Sequence, residues 1–224
     1  MKSLSRMVLA GLTLAVCVAA AAAQGGFMRP PEIQGMWQPK VGSGGAYHIV
    51  NKDSKESDME IAVVDKEIVN GNLGYWMEVS LVQAKGPMYS KMLIVGAKDN
   101  TMTVRMIIQQ PGQKPMEFSM DMANRAGGST KSQADFLSKI EKVGTEMVTV
   151  PAGTFSCDHY RKKDGSGDMW ISDKLSPYGL VKSTDKDRTM TLTRVITDAK
   201  THITETPVKF DPAEMMKRRQ LPQP

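Results

Sequence analysis

The chain has 224 residues, of which 29 are Lys or Arg and 24 are Asp or Glu, so its formal net charge is +5. Hydrophobic residues make up 41% of the chain and aromatic residues 6%, which is typical of a globular protein and excludes a disordered chain, a coiled coil and a multi-span membrane protein. The basic residues are scattered rather than arranged in a stripe, so no nucleic-acid partner is predicted. A chain of this length can form one domain without metals or disulfides.

Residues 1–23 have the pattern of a signal peptide. Lys2 and Arg6 supply the positive n-region, an apolar core runs over residues 7–20, and the alanines that end at Ala23 form the cleavage site. The apolar core is shorter than the roughly 20 residues that a spanning helix needs. We therefore predict an exported protein, with the periplasm as its location.

The two cysteines have different expected roles. Cys17 lies in the predicted leader, and lipid anchoring through it is the alternative to soluble export, although Val16 stands where such signals carry a small residue. Cys157 is then the lone cysteine of the mature chain and cannot form an internal disulfide. It is either a buried small hydrophobe or a reactive thiol, and burial is the commoner state of a free cysteine.

Composition divides the rest of the chain into three parts. Residues 24–45 are rich in Gly and Pro without periodicity, which predicts a flexible N-terminal arm in which Met36 and Trp37 can pack locally. Residues 46–210 are predicted to form a single β-rich domain. Residues 211–224 are predicted to form a basic C-terminal tail.

From residue 46 the apolar residues recur with a period of two, as in antiparallel strands that are buried on one face. Turn signals such as Asn70-Gly71 and Asp164-Gly165 separate the strands. The pattern predicts a mainly β (α+β) fold: a curled antiparallel sheet or half-barrel of about 9–11 strands, with one or two short helices on the concave side or at the end. The clearest alternating positions are Met59, Ile61 and Val63; Tyr75, Met77, Val79 and Leu81; and Met102, Val104, Met106 and Ile108.

Two segments have helical features. Residues 132–135 resemble a capping box, and apolar residues recur at helical spacing from Phe136 to Val143 before Gly144, which predicts a short helix able to close over a concave sheet. A second short helix is predicted to start at Asp211.

Catalytic motifs are absent from the sequence: it contains no G-x-S-x-G, no H-E-x-x-H and no P-loop. Cys157 and His159 come nearest to a dyad. Two residues this far apart on a strand share a face but lie about 6.6 Å apart at the backbone, whereas catalysis needs hydrogen-bond contact. We therefore predict that the protein is not an enzyme and has no catalytic residue and no cofactor.

Methionine is abundant, with 18 in the chain. Most methionines occupy the alternating apolar positions, which favours a core or pocket-lining role, since Met is a flexible filler of cores and of adaptable binding surfaces. Thioethers also bind Cu(I), and Met116, Met120 and Met122 form the tightest cluster for this weaker alternative. No other metal site is predicted.

The second half of the chain contains several short motifs in a fixed order. Val150-Pro-Ala-Gly-Thr-Phe155 precedes Trp170-Ile-Ser172 and Pro177-Tyr-Gly-Leu-Val-Lys182. Over residues 143–196 this order resembles uncharacterised bacterial exported proteins that are similar to the lipoprotein-carrier (LolA-like) half-barrels. The resemblance implies a curled sheet with helices on its concave side, and it supplies no catalytic residue. The motif residues are Pro151, Gly153, Phe155, Cys157, His159, Tyr160, Trp170, Pro177, Tyr178 and Gly179.

These observations favour a non-enzymatic exported module that binds or carries an apolar ligand, a lipid or acyl chain, in a half-barrel cavity. The alternatives are a structural or interaction protein of the envelope, with peripheral envelope contacts through the arm and tail, and Cu(I) binding through methionines. The oligomeric state does not follow from the sequence. The predicted cavity lining is Trp76, Met77, Met92, Met102, Met106, Phe136, Ile140 and Trp170.

Overall fold

The computed structural model describes residues 36–83, 85–96, 101–120 and 133–210, and in these ranges the chain is almost entirely β. The strands are β1 (Gly44–Asn51), β2 (Glu56–Val69), β3 (Asn72–Gln83), β4 (Gly86–Val95), β5 (Met102–Gln109), β6 (Met116–Ser119), β7 (Ile140–Val150), β8 (Gly153–Lys162), β9 (Gly167–Ile171), β10 (Leu180–Asp185), β11 (Arg188–Ile196) and β12 (Val208–Lys209). Helix α1 (Gln133–Ser138) lies between β6 and β7. The predicted mainly β class is confirmed. The described residues contain twelve strands, against the predicted number of about 9–11. The sequence pattern did not reveal β6 and β12 because strands of 4 and 2 residues are too short to show a period of two.

All twelve described strands belong to one sheet, in the order β12-β6-β5-β4-β3-β2-β1-β11-β10-β9-β8-β7. Strands β1 to β6 and strands β7 to β11 form two antiparallel meanders, and the pairing of β1 with β11 joins them. Strand β12 pairs with β6 in the parallel direction. Strands β1 and β11, which are far apart in the sequence, therefore join the two meanders in the middle of the sheet. The last described strand, β12, forms the edge beside β6.

The β2–β3 hairpin shows how a local signal sets this pairing. Asn70 and Gly71 have φ angles of 49° and 80°. Two successive residues with positive φ form a type I′ turn, whose twist matches that of the flanking strands. The turn aligns Val69 with Asn72, and the register then runs along both strands.

Alternate residues of each strand point to opposite faces of the sheet. We call the apolar one the inner face and the other the outer face. Trp37 contacts Tyr75 on the inner face of β3 and Tyr178 just before β10, with ring centroids 6.5 and 5.2 Å apart. Three strands separate β3 from β10 in the sheet, so the sheet curls around the inner face. The buried inner-face side chains include Tyr47, Ile49, Met59, Ile61, Val63, Met77, Val79, Met92, Met190 and Leu192.

The predicted helix over residues 132–143 is wrong beyond Ser138. Ile140 begins β7, which pairs with β8 along its whole length. The pairing with β8 gives hydrogen-bond partners to backbone groups along residues 140–150. A helix that ended at Gly144 would leave the backbone groups beyond it without such partners. The helix predicted from Asp211 lies outside the described residues.

Part of the predicted arm packs on the domain. Trp37 is buried, and the Gln38 backbone N–H donates to the Pro177 carbonyl at 2.9 Å, while its side-chain amide donates to the Leu175 carbonyl at 2.8 Å. Strand β1 begins at Gly44, two residues before the predicted domain boundary. Residues 1–35 and 211–224 lie outside the described part, so the leader, the remainder of the arm and the tail stay predictions.

Candidate ligand-binding site

The inner face carries a row of methionines that the register places side by side. Val63, Met77, Met92, Met106 and Phe118 are successive cross-strand neighbours on β2 to β6. Met77 and Met92 are each 2% exposed and Met106 is 6% exposed. The structure thus brings together three of the predicted lining residues, and it packs their side chains in the interior.

The same face becomes exposed towards the edge of the sheet. In the adjacent row, Ile61 and Val79 are buried, whereas Met116 on β6 is 37% exposed and Val208 on β12 is 55% exposed. Phe210 is 37% exposed, and its ring centroid lies 4.9 Å from that of Phe118. The inner face is therefore filled on β2 to β4 and presents apolar side chains to solvent at its end. We call this end the apolar rim, formed by Ile108, Met116, Phe118, Val208 and Phe210.

Backbone hydrogen bonds hold β12 in place to form the rim. The Val208 N–H donates to the Pro115 carbonyl and the Phe210 N–H donates to the Glu117 carbonyl, both at 2.8 Å. This parallel pairing places Val208 beside Met116. The rim thus combines residues that lie far apart in the sequence.

Across the inner face from the rim, Trp37 and the loop that contains Tyr178 close the interior. Burial raises the pKa of the Tyr178 hydroxyl, and that of Tyr47, far above the ordinary value of a tyrosine. The Tyr47 hydroxyl donates a hydrogen bond to the Leu180 carbonyl at 3.0 Å. Both phenols therefore stay neutral, in keeping with an apolar interior.

The remaining predicted lining residues lie elsewhere. Trp76 directly precedes Met77 and so points to the outer face, where it packs with Leu93 and Ile203. Trp170 is also on the outer face, with its ring stacked 4.7 Å from that of His159. Of the others, Met102 is 48% exposed, Phe136 is half-buried in α1, and Ile140 is buried at the start of β7.

Cys157 and His159 do not form a catalytic pair in the structure. Cys157 is buried, and burial, reinforced by the carboxylates of Glu146 and Asp158, raises the pKa of its thiol to about 11. The His159 Nε2 atom lies 2.7 Å from the Asp168 carboxylate. The thiol therefore stays protonated near neutral pH, as expected for a structural cysteine.

Several negative findings apply to the described residues alone. No group of three or more His, Cys, Asp and Glu side chains is arranged there to hold a metal ion. No helix in the described ranges is both long and apolar enough to cross a membrane. Met116 lies on β6 and Met120 just after it, but Met122 falls outside the described part, so the copper alternative stays a prediction.

Among known proteins, the solved structures that match this chain do so weakly. No family model and no curated protein matches the sequence. A presumed lipoprotein from Parabacteroides distasonis matches with 14% identity and a TM-score of 0.37, over 72% of this chain and 98% of the other. A presumed exported protein with a YmcC-like fold from Bacteroides fragilis matches with 13% identity and a TM-score of 0.35, over 72% of this chain and 99% of the other. Similarity at this level does not extend to function. Neither protein is described as a lipoprotein carrier, so the LolA-like resemblance stays a prediction.

The motif residues behind that resemblance have structural roles here. Pro151 lies in the β7–β8 turn and Gly153 begins β8 with a φ of +128°. Gly179 has a φ of +74°, and a Cβ there would collide with the Ser172 carbonyl. These residues turn the chain between strands, and Tyr178 in the same loop packs on Trp37.

Sequence reasoning missed most of the apolar rim. The segment around Val208 is too short for its alternation to stand out, and Phe118 lies in a strand of 4 residues. The one available signal is the apolar–basic–apolar order of Val208, Lys209 and Phe210. It gains meaning only once β12 is known to pair with β6.

Proposed function

We propose that the protein is an exported, non-enzymatic module that binds an apolar ligand, a lipid or an acyl chain, at the rim of its inner face. The observation that supports this proposal is the continuity of the apolar rim with the buried methionine row. Such a surface offers an apolar chain exposed side chains to bind to and flexible methionine side chains beside them. Met106 lies directly next to Phe118 in this row.

The chemistry of the two rows suits a hydrocarbon chain. Their only polar side chain is that of Ser90, and the charged Lys209 alternates with the rim residues rather than joining them. Methionine side chains can repack around different ligand shapes because they are unbranched and polarisable. The rim therefore favours an apolar ligand of variable shape.

The expected gain in free energy can be estimated from the rim. Removing one methylene group from water is worth about 0.8 kcal/mol. An acyl chain that places about six methylenes on the rim gains roughly 5 kcal/mol before the cost of immobilising it is subtracted. Longer chains are then expected to bind more tightly until the rim is covered.

The test combines extraction with a matched pair of variants. We expect mass spectrometry of an organic extract of the purified protein to show a lipid, and a fluorescent fatty acid to bind saturably. Met116→Lys puts a charge into the rim and is expected to weaken binding at least about tenfold, since a buried unpaired charge is costly. Met102→Lys is the control, because Met102 is 48% exposed and lies outside the rim.

Two results would contradict the proposal. One is a lipid-free extract together with no uptake of the fluorescent fatty acid. The other is equal binding by the two lysine variants, since the ligand would then not contact the rim. Export is tested separately: the mass of the protein recovered from the periplasm is expected to correspond to a chain that starts at Gln24.

A further inference from the structure

A cleft lies on the outer face of the sheet, and the apolar rim lies on the inner face. Residues Asp198 to His202 cross the outer face and enclose a cleft of about 360 Å³ against β2, β3 and β11. We call it the outer cleft. Both polar and apolar side chains line it.

A buried carboxylate fixes one wall of the outer cleft. Glu78 is 3% exposed and accepts hydrogen bonds from the Thr201 hydroxyl at 2.6 Å and from the His202 backbone N–H at 3.0 Å. Its oxygen also lies 2.8 Å from the His202 Nδ1 atom. The His202 ring stacks on Tyr89, with centroids 4.7 Å apart and planes 6° apart. The imidazole is therefore held from two sides.

This arrangement determines what His202 can offer to a ligand. An ionised carboxylate only accepts hydrogen bonds, so the Nδ1 atom facing Glu78 carries the proton. The Nε2 atom accepts a hydrogen bond when the ring is neutral and donates one when the ring is protonated, and half of the side chain is exposed. Ser80, whose hydroxyl can both donate and accept, lines the same cleft.

The opposite wall of the cleft is an ion pair. Arg194 Nη2 lies 2.6 Å from Glu60 Oε1, and the two residues flank Ala46 in register on β1, whose short side chain lets them meet. The pair neutralises its own charge, while Lys200 and Asp198 bring one charge of each sign. The carboxylate of Glu78 is 3% exposed and faces Thr201 and His202, so the charges on the open walls of the cleft balance without a charged ligand.

We propose that the outer cleft binds an uncharged polyhydroxylated molecule of the size of one sugar residue. Hydroxyl groups both donate and accept. The cleft offers donors on Arg194 and Lys200 and acceptors on Asp198 and Glu60, and the exposed nitrogen of His202 can bond to a hydroxyl group in either protonation state. Ala62, Val64 and Ile196 form an apolar part of the lining that suits the C–H face of a sugar ring. The volume lies at the lower end of the range for small-molecule sites.

The experiment is a titration followed by two-dimensional NMR of amide signals. The probes are glucose and N-acetylglucosamine, with glycine and inorganic phosphate as charged comparisons. We expect a sugar to shift the signals of residues 198–202 and of Ser80 saturably in the millimolar range. Ser80→Ala removes one hydrogen bond and is expected to weaken binding about fivefold. Ser183→Ala on β10, outside both sites, is the matched control and is expected to bind like the unmodified protein.

Each other outcome overturns the proposal. One such outcome is that the signals of residues 198–202 shift with neither sugar. Another is that Ser80→Ala binds the sugar as tightly as Ser183→Ala does. Saturable binding of glycine or phosphate at these residues, without a sugar, overturns the uncharged class of ligand. Because the cleft and the apolar rim lie on opposite faces, a failure here leaves the lipid test unaffected.

Discussion

Glu78→Gln tests whether a buried charge anchors residues 198–202 to the sheet. The substitution keeps the size of the side chain but removes the charge of a carboxylate that holds both Thr201 and His202. The bonds from Glu78 to Thr201 and to His202 span 123 and 124 positions of the sequence, respectively. The variant therefore perturbs a long-range anchor with little change in packing volume.

The expected loss follows from the type of bond. Hydrogen bonds to a charged group contribute about 1.5–3 kcal/mol and neutral ones about 1 kcal/mol. The three bonds to Glu78 then lose roughly 3 kcal/mol in total, part of which is offset because an amide costs less to bury than a carboxylate. We expect the free energy of unfolding to fall by about 1–2 kcal/mol at neutral pH.

The assay is urea unfolding followed by tryptophan fluorescence and by circular dichroism. Glu60→Gln is the control: Glu60 is in a solvent-exposed ion pair with Arg194, so its loss is expected to cost less than about 0.5 kcal/mol. The reasoning is refuted if Glu78→Gln changes the free energy of unfolding no more than Glu60→Gln does. Such a result would mean that residues 198–202 stay in place without the charged anchor.

Three further predictions concern other parts of the sheet. Gly44→Ala is expected to lower the free energy of unfolding by more than about 2 kcal/mol, because a Cβ there would collide with the backbone of β2, whereas Gly144→Ala meets open space and serves as its control in the same urea assay. Burial by itself raises the pKa of Asp168, but hydrogen bonds from His159 and a neighbouring arginine lower it overall. The ionised carboxylate therefore stabilises the fold at pH values above the ordinary carboxyl pKa, and this contribution is lost as the pH falls through the lowered pKa. Asp168→Asn is therefore expected to be less stable by about 1 kcal/mol near neutral pH, and a stability gap that did not close in acid would contradict this. The thiol of Cys157, with its pKa raised to about 11, is expected to resist iodoacetamide at a pH of about 8 in the native protein and to react once the protein is unfolded. Mass spectrometry follows the labelling, and rapid labelling of the native protein would contradict the burial of the thiol.

The alternation of apolar residues was enough to predict the sheet and its two faces. Met77 and Tyr75 share a face because the period of a strand is two, and the structure places both on the inner face. The same rule separates Trp76 from Met77, so a lining set that contained both could not belong to one cavity. Helical spacing near Ile140 was misleading because pairing with β8, a contact that the local pattern does not encode, makes residues 140–150 a strand.

The parts of the molecule that carry the two proposed sites depend on contacts between distant segments. Glu78 looks like an ordinary exposed strand residue until His202 is placed against it, and only the fold does that. Val208 likewise joins Met116 through a parallel pairing that no short-range pattern encodes. Local patterns therefore predicted the strands, while the sites required knowledge of which strands meet.

The pairing of β1 with β11 also constrains how the protein folds. Residues 44–51 find their second neighbour only in residues 188–196, so one meander can form early while the other joins it late. Such a seam gives the protein a high contact order, and chains of this kind fold slowly because a long loop must close before its contacts are gained. Until that closure, the unpaired edge of β1 is open to other chains, and the nascent protein is at its most prone to aggregate.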